Sequence, residues 1–200
     1  MAKLYFKYGA MGSSKSAQAL ITKFNYEEMG MKVWLLKPST DTRDGVDLIK
    51  SRIGLCQQAV VVTPDCDIVQ MYKNGVVCDV IIADECQFFT AEQIDGLRQL
   101  VDEYDLPVMC FGLRTDFQTH LFPGSLRLFE IADSITEIKN ICSCGSKAIV
   151  NCRISADGKV VTEGEQVMLG GNDSYIPMCH RCWKERIAKE KAEQAQVSVF

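Results

Sequence analysis

The fold is decided by the segment Gly9-Ala10-Met11-Gly12-Ser13-Ser14-Lys15-Ser16, which lies between an apolar run at residues 4–8 and a stretch of helical periodicity at residues 14–29. The segment fits the pattern G-x-x-x-x-G-K-[S/T] of a phosphate-binding loop, except that Ser14 stands in the place of the second glycine. Small residues let backbone N–H groups wrap a phosphate, and the N-terminus of the following helix adds a favourable partial charge. This strand–loop–helix context predicts a site for nucleotide phosphates.

Two side chains of this loop carry its expected chemistry. Lys15 can reach the outer phosphates of a nucleotide, and the Ser16 hydroxyl can bind Mg²⁺. The alternative is a tight strand-to-helix turn with an exposed lysine, and a second motif argues against it.

That second motif is a pair of carboxylates, Asp84 and Glu85, at the end of an apolar run predicted to form a long strand over residues 76–83. Asp84 is expected to hold Mg²⁺, directly or through water. Glu85 is then available to accept a proton from a substrate hydroxyl as its oxygen attacks phosphorus. The alternative is an ordinary strand end with solvated acids. The loop and the acidic pair together predict a P-loop nucleotide site, but they do not separate a kinase from an ATPase.

The wider pattern predicts an α/β fold, a P-loop NTPase-like, mostly parallel sheet flanked by helices, because short apolar runs alternate with amphipathic stretches. Strands are expected at residues 4–8, 33–36, 59–62, 76–83 and 108–111, and helices at 14–29 and 90–104. After residue 139 the pattern changes to two β-like runs, 148–154 and 159–162, which a turn at residues 155–158 would join as a hairpin. We therefore predict a P-loop domain at 1–139, a small zinc-stapled β lobe at 140–183, and a C-terminal helix and tail at 184–200.

Composition restricts the functional class further. The chain has 200 residues with 22 Lys and Arg against 26 Asp and Glu, giving a net charge of −4, and this balance argues against a general nucleic-acid binder. No stretch has the apolar length of a membrane helix, and the first residues resemble a strand rather than a signal peptide. We expect a cytoplasmic protein without a membrane partner, in which the ten cysteines are reduced or bind metal.

Four of the cysteines occur as two close pairs, Cys142 with Cys144 and Cys179 with Cys182. Four thiolates arranged as a tetrahedron form a structural zinc site with no open position for catalysis. Spare ligands are His180 and Cys152, and the alternative is four reduced thiols without metal.

Four blocks in this order resemble type II thymidine kinases, from residue 4 to about residue 183. They are the loop 9–16, the segment Asp84-Glu85-Cys86-Gln87-Phe88-Phe89, the segment 111–117 and the segment 170–175. The resemblance implies a zinc at the paired cysteines and phosphoryl transfer from ATP–Mg²⁺ to the 5′-hydroxyl of thymidine, and of deoxyuridine. It also implies a homotetramer and feedback inhibition by dTTP.

The resemblance assigns roles by position. Glu85 is expected to be the general base, and Arg43, in the stretch Asp41-Thr42-Arg43, is expected to offset phosphoryl charge. The expected ATP and Mg²⁺ residues are Gly9, Ala10, Met11, Gly12, Ser13, Ser14, Lys15, Ser16, Asp41, Arg43, Asp84 and Gln87. The expected nucleoside residues are Met11, Phe88, Leu113, Phe117, Phe122, Met168, Leu169, Gly170 and Tyr175. Of these, Met168, Leu169 and Gly170 belong to a lasso loop that reads the base mainly with backbone groups.

Two other classes of function remain open from the sequence. A nucleotide-switched binding protein would hydrolyse ATP slowly and ignore nucleosides. A zinc-ribbon nucleic-acid binder is the second alternative, and the absence of a basic cluster near the cysteine pairs speaks against it.

Overall fold

A computed structural model describes residues 1–42, 45–167 and 175–197. Its strands are β1 (Leu4–Tyr8), β2 (Val33–Pro38), β3 (Leu48–Lys50), β4 (Cys56–Gln58), β5 (Val60–Val62), β6 (Val80–Ala83), β7 (Val108–Gly112), β8 (Ser134–Glu137), β9 (Asn140–Ile141), β10 (Lys147–Ala148), β11 (Val150–Arg153) and β12 (Tyr175–Met178). Its helices are α1 (Lys15–Glu28), α2 (Ile68–Lys73), α3 (Ala91–Tyr104), α4 (Pro123–Ile131) and α5 (His180–Val197), with a 3-10 turn at Cys86–Phe88.

Six strands form one parallel sheet in the order β5-β2-β6-β7-β1-β8, which confirms the predicted fold class. Helix α1 covers one face through Leu20, which packs in a cluster with Ile82 and Phe111. Helices α2, α3 and α4 cover the other face around a larger apolar cluster. All four residues of β6 are fully buried, as expected for a central strand covered on both sides.

Local signals account for the start of α3. The Thr90 hydroxyl accepts a hydrogen bond from the Gln93 backbone N–H at 3.2 Å, and the Gln93 side chain accepts one from the Thr90 N–H at 3.1 Å. This reciprocal capping box satisfies two amide donors that the first turn of a helix leaves without partners. Thr90 is therefore the N-cap of α3, at the residue where the sequence predicts this helix to begin.

The small lobe contains the antiparallel pairs β9–β10 and β11–β12 and a separate apolar cluster around the cysteines. The predicted hairpin between residues 148–154 and 159–162 is wrong in its second strand. The turn forms, with the Gly158 N–H donating to the Ser155 carbonyl at 2.9 Å, and the N–H groups of Val161 and Ser155 donate across it to the carbonyls of Arg153 and Lys159. The pairing stops after one bridge, between Ile154 and Val160, so residues 159–162 form no strand. The partner of β11 is β12, because this pairing aligns four residues and places Met178 in the cluster.

Two further differences concern the main domain. The predicted strand 76–83 begins only at Val80, because its partner strand β2 begins at Val33 and residues 74–79 lead out of α2. On α1, Ile21 and Phe24 have helical spacing with the core residues but are 45% and 57% exposed, beside the exposed Leu55. Sequence analysis also missed the β3–β4 hairpin, α2, α4 and β8. No helix in the described part of the chain combines the length and apolarity needed to cross a bilayer.

Candidate active site

The loop between β1 and α1 has the conformation of a phosphate-binding turn. Gly12 and Ser14 both adopt left-handed backbone angles, with φ of 76° and 61°. Gly9 has no space for a side chain, because an added Cβ would lie 2.5 Å from the Ile138 carbonyl oxygen. Ser14 thus takes, at a steric cost, the backbone conformation that a glycine would take freely.

Lys15 is buried and folds over this loop. Its Nζ donates to the Ala10 carbonyl at 3.0 Å and lies 3.4 Å from the Ser13 Oγ. These contacts hold the ammonium group beside the loop. A phosphate bound there would interact with this positive charge and with the backbone N–H donors.

A cleft runs from this loop to the carboxyl ends of β6 and β7. Ends of parallel strands meet at one edge of a sheet, and ligands bind at that edge. The cleft is lined by Met11, Gly12, Ser14, Lys15, Ser16, Ala17, Asp41, Ile49, Lys50, Ser51, Arg52, Ile53, Asp84, Glu85 and Leu113. The structure thus brings together the predicted cation, the two carboxylates and two of the apolar residues assigned to the nucleoside.

Asp84 is only 2% exposed, and Ser16 lies beside its carboxyl group. Burial, together with the neighbouring Glu85, raises the pKa of Asp84 to about 7. Its Oδ1 atom is buried without a hydrogen-bond partner in the described part of the chain. A carboxylate oxygen without a partner beside a serine hydroxyl fits a hard cation such as Mg²⁺, which prefers oxygen ligands.

Glu85 also has a left-handed backbone, with φ of 49°. The Gln87 side-chain amide donates to Glu85 Oε2 at 2.5 Å, and Gln87 Oε1 accepts from the Leu113 N–H at 2.9 Å. Gln87 is packed so closely against Gly112 that an added Cβ there would lie 2.7 Å from its Oε1. Gln87 is predicted to bind ATP or Mg²⁺. In the structure its side chain hydrogen-bonds both to the Glu85 carboxylate and to the backbone at the end of β7, and so connects the two.

Four of the residues predicted to contact the nucleoside, Phe88, Phe117, Phe122 and Tyr175, are not among those that line the cleft. The rings of Phe88 and Phe122 meet edge to face at 5.5 Å between centroids. The Arg153 guanidinium lies 4.7 Å from the ring centre of Phe117 and 5.9 Å from that of Tyr175. Arg43, Met168, Leu169 and Gly170 lie outside the described residues.

Asp41 lies at the edge of the cleft, where its Oδ2 is 3.7 Å from the Nζ of Lys37. Lys37 is fully buried and also donates to the carbonyls of Gly45 and Leu48. This buried cation links the chain around Asp41 to the β3–β4 hairpin, which covers one side of the cleft.

Sequence reasoning missed two groups of residues at the site. Lys50 and Arg52 belong to the β3–β4 hairpin and bring positive charge to the cleft. Asn140 and Asn151 hydrogen-bond to the backbone of Met11 in the loop. A signal for Asn151 was present, since a polar residue between Val150 and Cys152 interrupts an apolar strand.

The four paired cysteines form a second, separate cluster. Their Sγ atoms all lie within 4.8 Å of one another, which fits a single zinc ion, since thiolates about 2.3 Å from zinc at tetrahedral corners are close neighbours. Hydrogen bonds from Ser146 lower the pKa of Cys144 to about 6, which favours the thiolate that metals bind, whereas hydrogen bonds with Cys179 and Cys144 raise the pKa of Cys182 to about 12. Neither His180 nor Cys152 belongs to the cluster, and Cys152 is buried in the adjoining apolar core.

A glycine-rich loop between the first strand and first helix, faced by a buried carboxylate at a strand end, defines the class of P-loop nucleotide-binding proteins. Residues 2–183 match the family model described as "Thymidine kinase". The chain therefore belongs to the thymidine kinase family.

Its relatives cover almost the whole chain. The chain is 45% identical over 194 residues to "Thymidine kinase" of Enterobacteria phage T4, covering 94% of this chain and 99% of the relative. It is 45% identical to "Thymidine kinase" of Yersinia pseudotuberculosis, with 94% and 97% covered. It is 43% identical to "Thymidine kinase" of Ruegeria pomeroyi, with 92% and 95% covered.

Proposed function

We propose that this chain transfers the γ-phosphate of ATP to the 5′-hydroxyl of thymidine, giving dTMP in nucleoside salvage. The observation that carries the proposal is the convergence of Lys15, Ser16, Asp84 and Glu85 on one cleft that also contains Met11. A P-loop without an adjacent base and an apolar wall would serve hydrolysis or switching equally well. Their presence together favours transfer to an organic hydroxyl.

Each polar group has a distinct role in this proposal. Glu85 accepts the proton of the 5′-hydroxyl, and Gln87 holds its carboxylate in place. Lys15 offsets charge on the transferring phosphoryl group, and Arg43 is assigned the same task by its position in the family. Ser16 and Asp84 would hold Mg²⁺, which supplies neutralisation of the phosphate oxygens when bound.

The nucleoside is proposed to lie against Met11 and Leu113, with Phe88, Phe117, Phe122 and Tyr175 forming the surrounding wall. Apolar and aromatic side chains suit a flat pyrimidine that bears a methyl group. The segment with Met168, Leu169 and Gly170 is proposed to cover the base. Deoxyuridine is expected to react as well, because the loss of one methyl group gives only about 10- to 200-fold discrimination in an apolar pocket.

The test is ADP release from ATP–Mg²⁺ with each deoxynucleoside added in turn. We expect a strong rise with thymidine, a weaker rise with deoxyuridine and no rise with purines. Slow ATP turnover that ignores every nucleoside would contradict the proposal and favour a nucleotide-switched binding protein.

The assignment of Glu85 is tested with Glu85→Gln, which keeps the size of the side chain but removes its basicity. We expect kcat to fall by about 10²- to 10⁴-fold while much of the ATP affinity is kept, since a positioned base contributes a factor of this order. Glu92→Gln, on the exposed first turn of α3, is the matched control and is expected to leave kcat unchanged. Turnover of Glu85→Gln at the parent rate would refute the role of this residue.

We also propose the organisation of the chain. The separate apolar cluster around the cysteines supports a division into a P-loop domain at 1–139, a cysteine lobe at 140–183 and a tail at 184–200.

A homotetramer with feedback inhibition by dTTP and a cytoplasmic location are expected from the family. The exposed Ile21 and Phe24 support the assembly, and the absence of disulfides among the described cysteines supports the reducing compartment. Sedimentation velocity with and without dTTP tests the assembly.

A further inference from the structure

Two asparagines of the cysteine lobe hold the phosphate-binding loop from outside. The Met11 backbone N–H donates to Asn151 Oδ1 at 2.7 Å, and the Met11 carbonyl accepts from Asn140 Nδ2 at 2.8 Å. Both peptide groups that flank Met11 are therefore bonded to side chains that lie 129 and 140 positions away along the chain.

Asn151 is well placed to act as a rigid support. It is 2% exposed, and its amide Nδ2 donates to the Thr115 carbonyl at 2.7 Å, so both ends of its side chain are bonded. Its backbone is fixed in β11, where it pairs with Pro177 of β12. Strand β12 leads directly into Cys179, and Asn140 lies in β9 next to the segment that contains Cys142. Both supports therefore belong to the lobe that contains the cysteine cluster.

Because the peptide bond is planar, these hydrogen bonds also determine how the neighbouring backbone groups of the loop are oriented. In a trans peptide the N–H and the C=O point in opposite directions, so holding one fixes the other. When Asn151 holds the Met11 N–H, the Ala10 carbonyl points the opposite way, and this carbonyl accepts the hydrogen bonds of Lys15 Nζ and of the Ser13 N–H. When Asn140 holds the Met11 carbonyl, the N–H of Gly12 is directed away from Asn140, and Gly12 lines the cleft.

We propose that Asn151 and Asn140 are positioning residues for phosphoryl transfer, through which the cysteine lobe sets the orientation of the Met11 peptides and hence of Lys15 and the Gly12 N–H. This inference rests on the proposed function, because it assigns the geometry of the ATP site. It goes beyond that function by giving the cysteine lobe a role in nucleotide binding. Neither asparagine touches a phosphate, and each acts through the loop backbone.

The experiment measures the Kd of ATP–Mg²⁺ by calorimetry without nucleoside, and then the KM for ATP, the KM for thymidine and kcat. For Asn151→Ala we expect the Kd and KM for ATP to rise about tenfold, because a loop that holds its binding conformation only about a tenth of the time binds its ligand about tenfold more weakly. The KM for thymidine is expected to change less. Asn140→Ala is expected to raise the ATP constants in the same direction by a smaller factor, and the double variant is expected to be non-additive because both side chains act on Met11.

Val150→Ala is the matched control for a purely structural effect. Val150 is a buried neighbour of Asn151 on β11, so its truncation destabilises the same lobe without removing a bond to the loop. If Val150→Ala raises the Kd for ATP as much as Asn151→Ala at a similar loss of Tm, the positioning role is wrong. Should Asn151→Ala fail to fold, unchanged ATP constants in the partly exposed Asn140→Ala would equally overturn the proposal. Because calorimetry needs no turnover, it tests this inference even if thymidine is not the acceptor.

Discussion

At the scale of single residues, Ser14 and Glu85 have left-handed backbones, at φ of 61° and 49°. Of the four non-glycine residues with such angles in the described part of the chain, these are the two that line the cleft. Such a conformation costs an ordinary residue roughly 1–2 kcal/mol and is found mainly where function requires it. Ser14 shapes the phosphate loop, and Glu85 turns the chain sharply so that its carboxylate faces the cleft. Strain at these two positions is stored where the proposed chemistry takes place.

Ser14→Gly is expected to raise the free energy of unfolding by about 1 kcal/mol, because glycine adopts this conformation without a Cβ clash. No side-chain hydrogen bond of Ser14 caps α1, so little is lost with its hydroxyl. Thermal unfolding measures the change. Thr119→Gly, at φ 71° in an exposed turn away from the loop, is the control and should stabilise without changing ATP affinity. A lower Tm for Ser14→Gly would show that the hydroxyl contributes more than the strain costs.

The raised pKa of Asp84 predicts that the free energy of unfolding depends on pH. Because the pKa of its buried carboxyl is raised from 3.8 to about 7, the folded state binds more protons than the unfolded state between these values. The free energy of unfolding should therefore fall as pH rises through this window, by an amount approaching roughly 4 kcal/mol at about 1.4 kcal/mol per pKa unit. In Mg²⁺-free buffer, Asp84→Asn is expected to be more stable than the parent at pH 8, and this advantage should disappear near pH 4.

The control for this prediction is Mg²⁺ itself. Saturating Mg²⁺ should stabilise the parent protein at pH 8 and leave Asp84→Asn nearly unaffected, because a bound cation favours the ionised carboxylate. Equal pH profiles for the parent and the variant in the absence of Mg²⁺ would contradict the raised pKa.

At the scale of elements, the β3–β4 hairpin supplies a positive wall to a cleft whose loop and strand ends come from the central sheet. One of the Arg52 guanidinium nitrogens lies 3.7 Å from where a Cβ on Gly12 would be. Arg52 makes no hydrogen bond or ion pair with another residue in the part of the chain described by the structure. A guanidinium without a partner beside a phosphate loop is suited to bind phosphate oxygens.

Arg52→Ala is expected to raise the KM for ATP about tenfold, the effect of one charge-assisted hydrogen bond, with little change in Tm. Steady-state kinetics at varied ATP, together with thermal unfolding, check both parts. Lys73→Ala, in the last turn of α2 and outside the cleft, is the matched loss of a positive charge. An equal effect of both variants would show that only the general electrostatic field had changed.

At the scale of the whole molecule, the cysteine cluster joins segments that are far apart in sequence and organises the lobe against which the phosphate loop rests. We expect about one zinc per chain in untagged protein. Cys144→Ser should lower both the zinc content and the Tm, whereas Cys56→Ser, an exposed cysteine outside the cluster, should lower neither. Metal analysis and thermal unfolding of the same samples test this expectation. A parent protein that contained no zinc, and whose Tm equalled that of Cys144→Ser, would refute it.

Local patterns predicted the elements whose signals are local. The loop 9–16, the helix capped by Thr90 and the buried strand before Asp84 all depend on residues within a few positions of one another. The spacing along α1 places Ile21 and Phe24 on a shared face, but it does not show what covers that face, and both side chains are exposed. The turn of the predicted hairpin forms, but its second arm, residues 159–162, is bonded to the end of β11 by only one bridge and forms no strand. The longer partner of β11 is β12, which is distant in sequence.

Residue type and short spacing were sufficient to predict the class of fold, the loop 9–16 with its opposing carboxylates, and the two cysteine pairs as candidate metal ligands. Three contacts are visible only in the folded chain: Gln87 with Glu85, the β3–β4 hairpin with the cleft, and Asn140 and Asn151 with Met11. These contacts join residues brought together by sheet order and by packing of the two lobes. No local pattern of residues encodes such contacts, because their geometry exists only once the chain has closed on itself.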